Sequence, residues 1–212
     1  MTTDAITTRL EDPSGSLDPD EALARLRDGN ERFLRGEPVH TSTPKEVLAG
    51  LAEGQHPYAI ILGCSDSRVP PELLFDSGFG DLFIIRVAGN VISPEVMGSI
   101  QYAGTHLETR LFVVLGHEGC GAVQAALAAK FHGAKERSRI ARLLQDILPG
   151  LDGIDPRLPP ERQLKLAVEA NVRWSMRQIL QTPEGAAAIA EGRMKMVGAV
   201  CEIATGRVRL LA

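Results

Sequence analysis

Short apolar runs alternate with amphipathic stretches along most of this chain. Residues 58–63, 81–87 and 110–116 are short and apolar, and each ends in a polar or glycine-containing loop, which predicts buried strands. Strands that alternate with helices indicate a parallel sheet joined by right-handed crossovers. The segments that predict these helices are 70–75, 94–107 and 122–130.

The amino-terminal part of the chain has a different pattern. Residues 1–17 are polar and predict a mobile tail, and from Asp18 apolar residues recur at helical spacing until Gly36 closes the run. A second short helix is predicted to begin at the Ser-Thr-Pro cap signal of residues 42–44 and to end at residue 50 or 54. The N-terminal helix is either an arm that covers a partner or an element that packs on its own domain.

The carboxyl-terminal part adds more helices and a final strand. Apolar stripes predict helices over 135–148 and 162–180, separated by a loop over 149–160 that is rich in Pro and Gly. Residues 196–203 predict a strand, and 208–211 return as a hairpin. The predicted fold class is therefore α/β: a mainly parallel central sheet flanked by helices, with an N-terminal helical arm and a C-terminal strand or hairpin, in a single domain over 18–212.

Composition narrows the class of protein. The chain has 212 residues, 44% of them hydrophobic and 24% charged, which suits one soluble domain. The formal net charge of −4 argues against a nucleic-acid partner, and no apolar run is long enough to span a membrane. The first residues show no signal peptide, so we expect a cytoplasmic protein. Three cysteines do not suggest a disulfide framework, and clustered thiols in a reducing compartment favour metal binding or nucleophilic chemistry.

Two short motifs place thiols and an imidazole after predicted strands. Cys64 opens Cys-Ser-Asp-Ser-Arg at residues 64–68, and His117 and Cys120 lie in Gly-His-Glu-Gly-Cys-Gly at residues 116–121. Ligands in parallel sheets bind beyond the carboxyl ends of the strands. Two thiolates and one imidazole suit zinc, and three protein ligands leave a fourth position open, as in catalytic sites. An unrelated thiol site remains an alternative at this point.

Two further residues of the first motif bear on chemistry. Asp66 and Arg68 are either a surface ion pair of little energetic value or, next to a metal, an oriented pair. In the second case, the carboxylate accepts a hydrogen bond from metal-bound water or itself binds the metal. The third cysteine, Cys201, lies within a predicted strand and is interpreted as a small core residue.

The pair of motifs resembles the signature of the β-class carbonic anhydrases, in the same order and spacing. The resemblance implies one Zn²⁺ per chain, held by Cys64, His117 and Cys120, with an Asp66–Arg68 dyad. It implies the reversible hydration of carbon dioxide to bicarbonate and a proton by zinc-bound hydroxide. It also implies a closed state in which Asp66 is a possible fourth ligand, and a homodimer or homotetramer with the pocket at the subunit interface.

The plant-like, type I branch of that family lines its substrate pocket with residue types that this chain also has. Counting from the motifs, they fall on Gln55, Phe83 and Tyr102, and Gly121 is added as a substrate-binding position. Taken singly, each has a plain structural interpretation as a core, packing or loop residue. The chain departs from the family at Val87, where an Asn is usual, and at Cys201-Glu202, where Tyr-Asp is usual.

Two alternatives to this function remain. Carbon disulfide and carbonyl sulfide hydrolases share the fold and the ligand set, so the same site has a second possible class of substrate. A non-catalytic zinc-binding or redox-sensing module is the other alternative, in which Cys64 and Cys120 form a disulfide and expel the metal. That interpretation leaves Asp66, Arg68, Gln55 and Tyr102 without a role.

Overall fold

One five-stranded sheet organises the chain. Its strands are β1 (Ala59–Gly63), β2 (Leu82–Arg86), β3 (Leu111–His117), β4 (Lys195–Cys201) and β5 (Val208–Leu210), and their order across the sheet is β2-β1-β3-β4-β5. The structure, a computed structural model, describes residues 17–41 and 45–211. Strands β1 to β4 all run parallel to one another, and β5 pairs with β4 in the antiparallel direction. The predicted α/β class and the C-terminal hairpin are confirmed.

Helices cover both faces of this sheet, and most agree with the sequence pattern within a few residues. The N-terminal cap signal at 42–44 and the tail at 1–16 lie outside the described residues. The helices are α1 (Pro19–Arg35), α2 (Lys45–Leu51), α3 (Pro71–Leu74), α4 (Pro94–His106), α5 (Gly121–His132), α6 (Ser138–Ile147), α7 (Pro160–Leu180) and α8 (Pro183–Ala190), and 3₁₀ turns lie at Ala88–Asn90 and Leu148–Leu151.

The central strands are apolar throughout because both of their faces are buried. In β1, Ile60 and Leu62 contribute to the core beneath α4, α5 and α7, whereas Ala59 and Ile61 contribute to the core beneath α1 and α3. All five residues of β1 and all seven of β3 are buried. A parallel strand covered on both sides has no polar face, which is why the sequence shows runs rather than alternation.

Helix α1 packs on its own chain, the second of the two arrangements that its apolar stripe allowed. The Asn30 Nδ2 group donates to the carbonyls of Leu74 and Gly206, both at 2.9 Å. Arg32 Nε donates to Asp76 at 2.6 Å, so the helix is tied to the loop after α3. The helix therefore lies against its own sheet.

Three local features differ from the predicted pattern. Helix α8 was not predicted, although Thr182 caps it by accepting from the Gly185 amide at 3.1 Å and Pro183 occupies its first turn. The loop predicted over 149–160 begins with a 3₁₀ turn. His117 is the last residue of β3 rather than the first residue after it. Within the described ranges, no helix is both long and apolar enough to cross a membrane.

Candidate metal centre

The carboxyl ends of β1 and β3 bring the two sequence motifs together. These strands pair in parallel with Gly63 opposite Leu115, so Cys64 and His117 emerge at the same edge of the sheet. Cys120 immediately precedes α5. Between the last two, Gly119 has φ +62°, a left-handed conformation that glycine adopts at little cost and that turns the chain back toward the sheet.

Three donor atoms converge at this edge. The Cys64 and Cys120 sulfurs and a ring nitrogen of His117 all lie within 4.8 Å of one another, and the three residues are at most 6% exposed. His117 Nδ1 lies 2.9 Å from the Glu118 carbonyl, a contact that assigns its proton to Nδ1 and leaves the Nε2 lone pair for the cluster. Nε2 is buried without a hydrogen-bond partner among the described residues.

This donor set fits a zinc ion. Zn–S bonds of about 2.3 Å and Zn–N bonds of about 2.0 Å in a tetrahedron separate donor atoms by roughly 3.5–3.8 Å, so small side-chain rotations would complete the site. An unpaired, buried imidazole nitrogen facing two thiols is costly unless something binds it. The predicted ligands Cys64, His117 and Cys120 are thus brought together as the sequence indicated.

The two thiols influence each other strongly. A hydrogen bond from Cys120 lowers the pKa of Cys64 to about 4, despite the opposing effect of burial. The amide of Gly89 adds a donor to the Cys64 sulfur at 3.4 Å. The same contact with Cys64, together with burial, raises the pKa of Cys120. The pair therefore shares one proton without a metal, and a dication would favour releasing it.

Asp66 lies beside the ligand cluster and is held there by Arg68. The guanidinium donates through Nε to Oδ1 at 2.9 Å and through Nη2 to Oδ2 at 2.7 Å, and the Arg68 amide donates to Oδ1 at 3.0 Å. This bidentate contact holds the pKa of Asp66 well below its usual range. Asp66 Oδ2 is 3.9 Å from His117 Nε2, so the carboxylate faces the donor atoms.

Arg86 fixes the backbone of the same loop, a role that the sequence alone did not reveal. From the end of β2, its Nε donates to the Cys64 carbonyl at 2.9 Å and its Nη2 donates to the Asp66 carbonyl at 2.6 Å. The sequence does contain a signal for this role, because Arg86 is a charged residue at the very end of the otherwise apolar strand β2. These two bonds orient the loop that carries both a thiol and the carboxylate.

The predicted pocket residues Phe83, Tyr102 and Gln55 lie away from the metal-ligand cluster in the fold. Phe83 and Tyr102 have ring centroids 6.3 Å apart, and Tyr102 is 5.2 Å from the His106 ring; we call these three residues the aromatic patch. Phe83 is opposite Ile60, three residues or about 10 Å along β2 from Arg86. Gln55 is exposed and precedes β1, whereas Cys64 follows it, so a strand of about 16 Å separates them.

Gly121 and Cys201, the remaining two residues that the sequence analysis singled out, lie in very different surroundings. Gly121 begins α5 next to Cys120, and a Cβ atom there would meet no atom within 4 Å, so the space beside it is open. Cys201 is fully buried, and burial raises its pKa to about 11, as its interpretation as a core residue implies.

A groove of about 890 Å³ lies on another part of the surface, between α4 and α8. Its walls include Met97, Ile100, Ile179 and Met194, and none of the predicted site residues line it. The chemistry belongs with the metal-ligand cluster because convergent donors, rather than volume, identify a metal site.

Comparisons with known proteins agree with the motif-based interpretation. A family model described as carbonic anhydrase matches residues 59–208. The chain is 48% identical over 136 residues to carbonic anhydrase 2 of Mycobacterium tuberculosis, covering 64% of this chain and 66% of that protein. It is 38% identical over 200 residues to the carbonic anhydrase of Mycolicibacterium smegmatis, covering 91% of this chain and 93% of that protein.

A solved structure has the same fold. It comes from a report on two tetrameric β-carbonic anhydrases of the ascomycete Sordaria macrospora, with a TM-score of 0.68 and 25% identity. The superposition covers 91% of this chain and 96% of that one. The similarity in fold therefore extends over most of both chains.

Proposed function

Since this chain belongs to the β-class carbonic anhydrases, we propose that it catalyses the reversible hydration of carbon dioxide to bicarbonate and a proton. The observation that carries the proposal is the convergence of Cys64, His117 and Cys120 within 4.8 Å, with the buried Nε2 atom of His117 lacking any described partner. Those three residues would hold one Zn²⁺ per chain. Zinc, when bound, supplies a Lewis acid that makes water nucleophilic near neutral pH.

Asp66 is placed to accept a hydrogen bond from the attacking water. Its carboxylate faces the ligand cluster, and both of its oxygens are already bound by Arg68. That contact keeps Asp66 ionised and fixes the direction of its remaining lone pairs. We therefore assign Asp66 the role of orienting water, and Arg68 the role of orienting Asp66. The closed state in which Asp66 is a fourth ligand stays a prediction, since Asp66 Oδ2 lies 3.9 Å from His117 Nε2 and faces the cluster.

The substrate pocket, in this proposal, is completed by a second copy of the chain. Gly121 leaves space beside the metal centre, whereas Gln55, Phe83 and Tyr102 lie toward the other edge of the sheet. Carbon dioxide is apolar, which suits aromatic walls, and the Gln55 amide would donate to a substrate oxygen. A homodimer or homotetramer would bring one chain's aromatic patch to another's ligand cluster, in agreement with the plant-like branch.

A cytoplasmic location is also part of the proposal. All three cysteines are free thiols, as expected in a reducing compartment. The carbon disulfide and carbonyl sulfide alternatives are not favoured, because the reported relatives carry the name carbonic anhydrase. The redox-module alternative is not favoured either, since it gives Asp66 and Arg68 no role.

The test is carbon dioxide hydration by stopped flow in alkaline buffer, on protein of measured zinc content. The wild-type chain should hold about one zinc and hydrate carbon dioxide rapidly, and Cys64→Ala should lose both properties because the ligand set is broken. Cys201→Ala is the matched control, since it removes a buried thiol outside the cluster and should keep metal and activity. A zinc-loaded wild type without hydration would contradict the proposed substrate, and a zinc-loaded Cys64→Ala would contradict the ligand set.

A further inference from the structure

The 3₁₀ turn Ala88–Asn90 touches a metal ligand directly. The Gly89 amide donates to the Cys64 sulfur at 3.4 Å. Gly89 has φ +68°, and a Cβ atom there would lie 2.8 Å from Ile147 Cδ1 and 3.1 Å from Ala122 Cβ. Only glycine therefore fits, and the turn is confined between α5 and α6 while its amide faces the thiol.

Helix α7 holds this turn by two buried polar side chains one helical turn apart. Asn171 Nδ2 donates to the Gly89 carbonyl at 2.8 Å, and Ser175 Oγ donates to the Asn90 carbonyl at 2.9 Å. Asn90 Nδ2 lies 3.3 Å from Ser175 Oγ and completes the contact. Asn171 is 1% exposed and Ser175 is fully buried, so water does not compete for these bonds.

The environment of Asn171 is costly if the side chain serves folding alone. Its Oδ1 atom is buried and has no hydrogen-bond partner among the described residues. An apolar side chain of similar size would avoid that penalty but would leave the buried Gly89 carbonyl without this donor. The Asn171 side chain donates to the carbonyl of Gly89, the residue whose amide contacts Cys64.

We propose that Asn171 and Ser175 are positioning residues for the metal centre. By fixing the Ala88–Asn90 turn, they keep the Gly89 amide on the Cys64 sulfur, and this hydrogen bond limits how much charge the thiolate donates to the metal. Partners in the layer around metal ligands tune affinity and electronic properties in this way. The inference rests on the proposed ligand set of Cys64, His117 and Cys120.

The test uses the full chain loaded with Co²⁺, whose sulfur-to-cobalt charge-transfer band reports thiolate donation, and a chelator competition for Zn²⁺. Asn171→Leu should shift the band to lower energy, because the thiolate then donates more charge. It should also weaken zinc binding about 10–100-fold, because the Gly89 amide no longer stabilises and orients the Cys64 thiolate, and Ser175→Ala should do the same to a smaller extent. Ile179→Val is the control, because it alters a buried residue of the same helix that makes no bond to the turn.

The outcomes separate this inference from the ligand assignment. If the wild type gives a thiolate band and both variants keep it with unchanged affinity, the positioning role is overturned while the ligand set stands. If Ile179→Val shifts the band equally, general destabilisation explains the effect and the role is overturned. A wild type without any thiolate band overturns the ligand set, and this inference with it. Ser175→Ala carries the test if the Asn171→Leu chain does not fold.

Discussion

The metal-ligand cluster and the aromatic patch lie toward opposite edges of the same sheet, in different surroundings. At the carboxyl edge, Cys64, His117 and Cys120 are almost fully buried, and Arg68 and Arg86 brace the loop beside them. Toward the amino edge, Tyr102 is 48% exposed on its helix. One chain completes the first region but leaves the second uncovered.

This difference indicates that a single chain supplies the metal ligands, whereas the aromatic patch serves contact with another surface. Ligand atoms need a fixed geometry, which a single chain supplies through strand ends and a helix start. An exposed aromatic surface suits contact with another surface, since aromatic residues contribute much of the binding energy at interfaces. Three predictions test this division, in order of decreasing effect on hydration.

The largest effect is expected at Asp66. Asp66→Asn should lower the hydration rate about 10²–10⁴-fold, because the neutral amide is a weaker acceptor for the attacking water, while zinc content stays unchanged. Stopped-flow hydration and metal analysis measure both. The chain offers a control in Asp155→Asn, since Asp155 binds Arg157 with the same bidentate spacing outside the site. Equal rates in the two variants would place the chemistry elsewhere.

A smaller effect on hydration is expected from the aromatic patch. Tyr102→Arg should weaken self-association at least about thirtyfold, as for an interface residue that contributes 2 kcal/mol or more. Hydration should fall with the loss of the assembled pocket, and zinc should remain bound. Sedimentation and stopped flow are the measurements, with Ile140→Arg as an exposed apolar control, since Ile140 is 55% exposed. A fully active single chain would contradict the shared pocket.

The least effect on hydration is expected from the contact that ties α1 to the core. Asp76→Asn should lower the free energy of unfolding by about 1–3 kcal/mol at neutral pH, because the carboxylate accepts bonds from Arg32 and from the amides of Val39 and His40. Zinc content and the rate per folded molecule should not change. Glu37→Gln is the control, since its pair with Arg35 is exposed and should contribute little.

The effect of Asp76→Asn should depend on pH in a defined direction. Burial would raise the pKa of Asp76, but the bonds from Arg32, Val39 and His40 outweigh it and lower that pKa. The contribution is therefore complete above the unfolded carboxyl value of about 3.9 and is lost as pH falls through the lower folded value. Denaturant titrations should show the wild-type and variant curves converging in acid. A constant difference down to low pH would contradict this assignment.

Much of the site could be predicted from the sequence because its signals are local. Cys64 directly follows β1, His117 ends β3 and Cys120 directly precedes α5. The hydrophobic pattern reveals all three elements, and parallel strands bring their carboxyl ends together. The exceptions are Arg86 and Asn171, whose partners are distant in sequence. Helix α8 was also missed, although its Thr-Pro start is a local signal.

By itself, the sequence determined the parallel α/β class, the donor types of the candidate metal centre and the pairing of Asp66 with Arg68, since strand period, donor chemistry and short spacing are properties of neighbouring residues. Only the tertiary structure decided that α1 packs on its own sheet, that Asn171 reaches Gly89, and that Phe83 and Tyr102 lie away from the ligand cluster. These are contacts between segments far apart in the chain, and a hydrophobic or polar pattern specifies which face is buried but not what covers it.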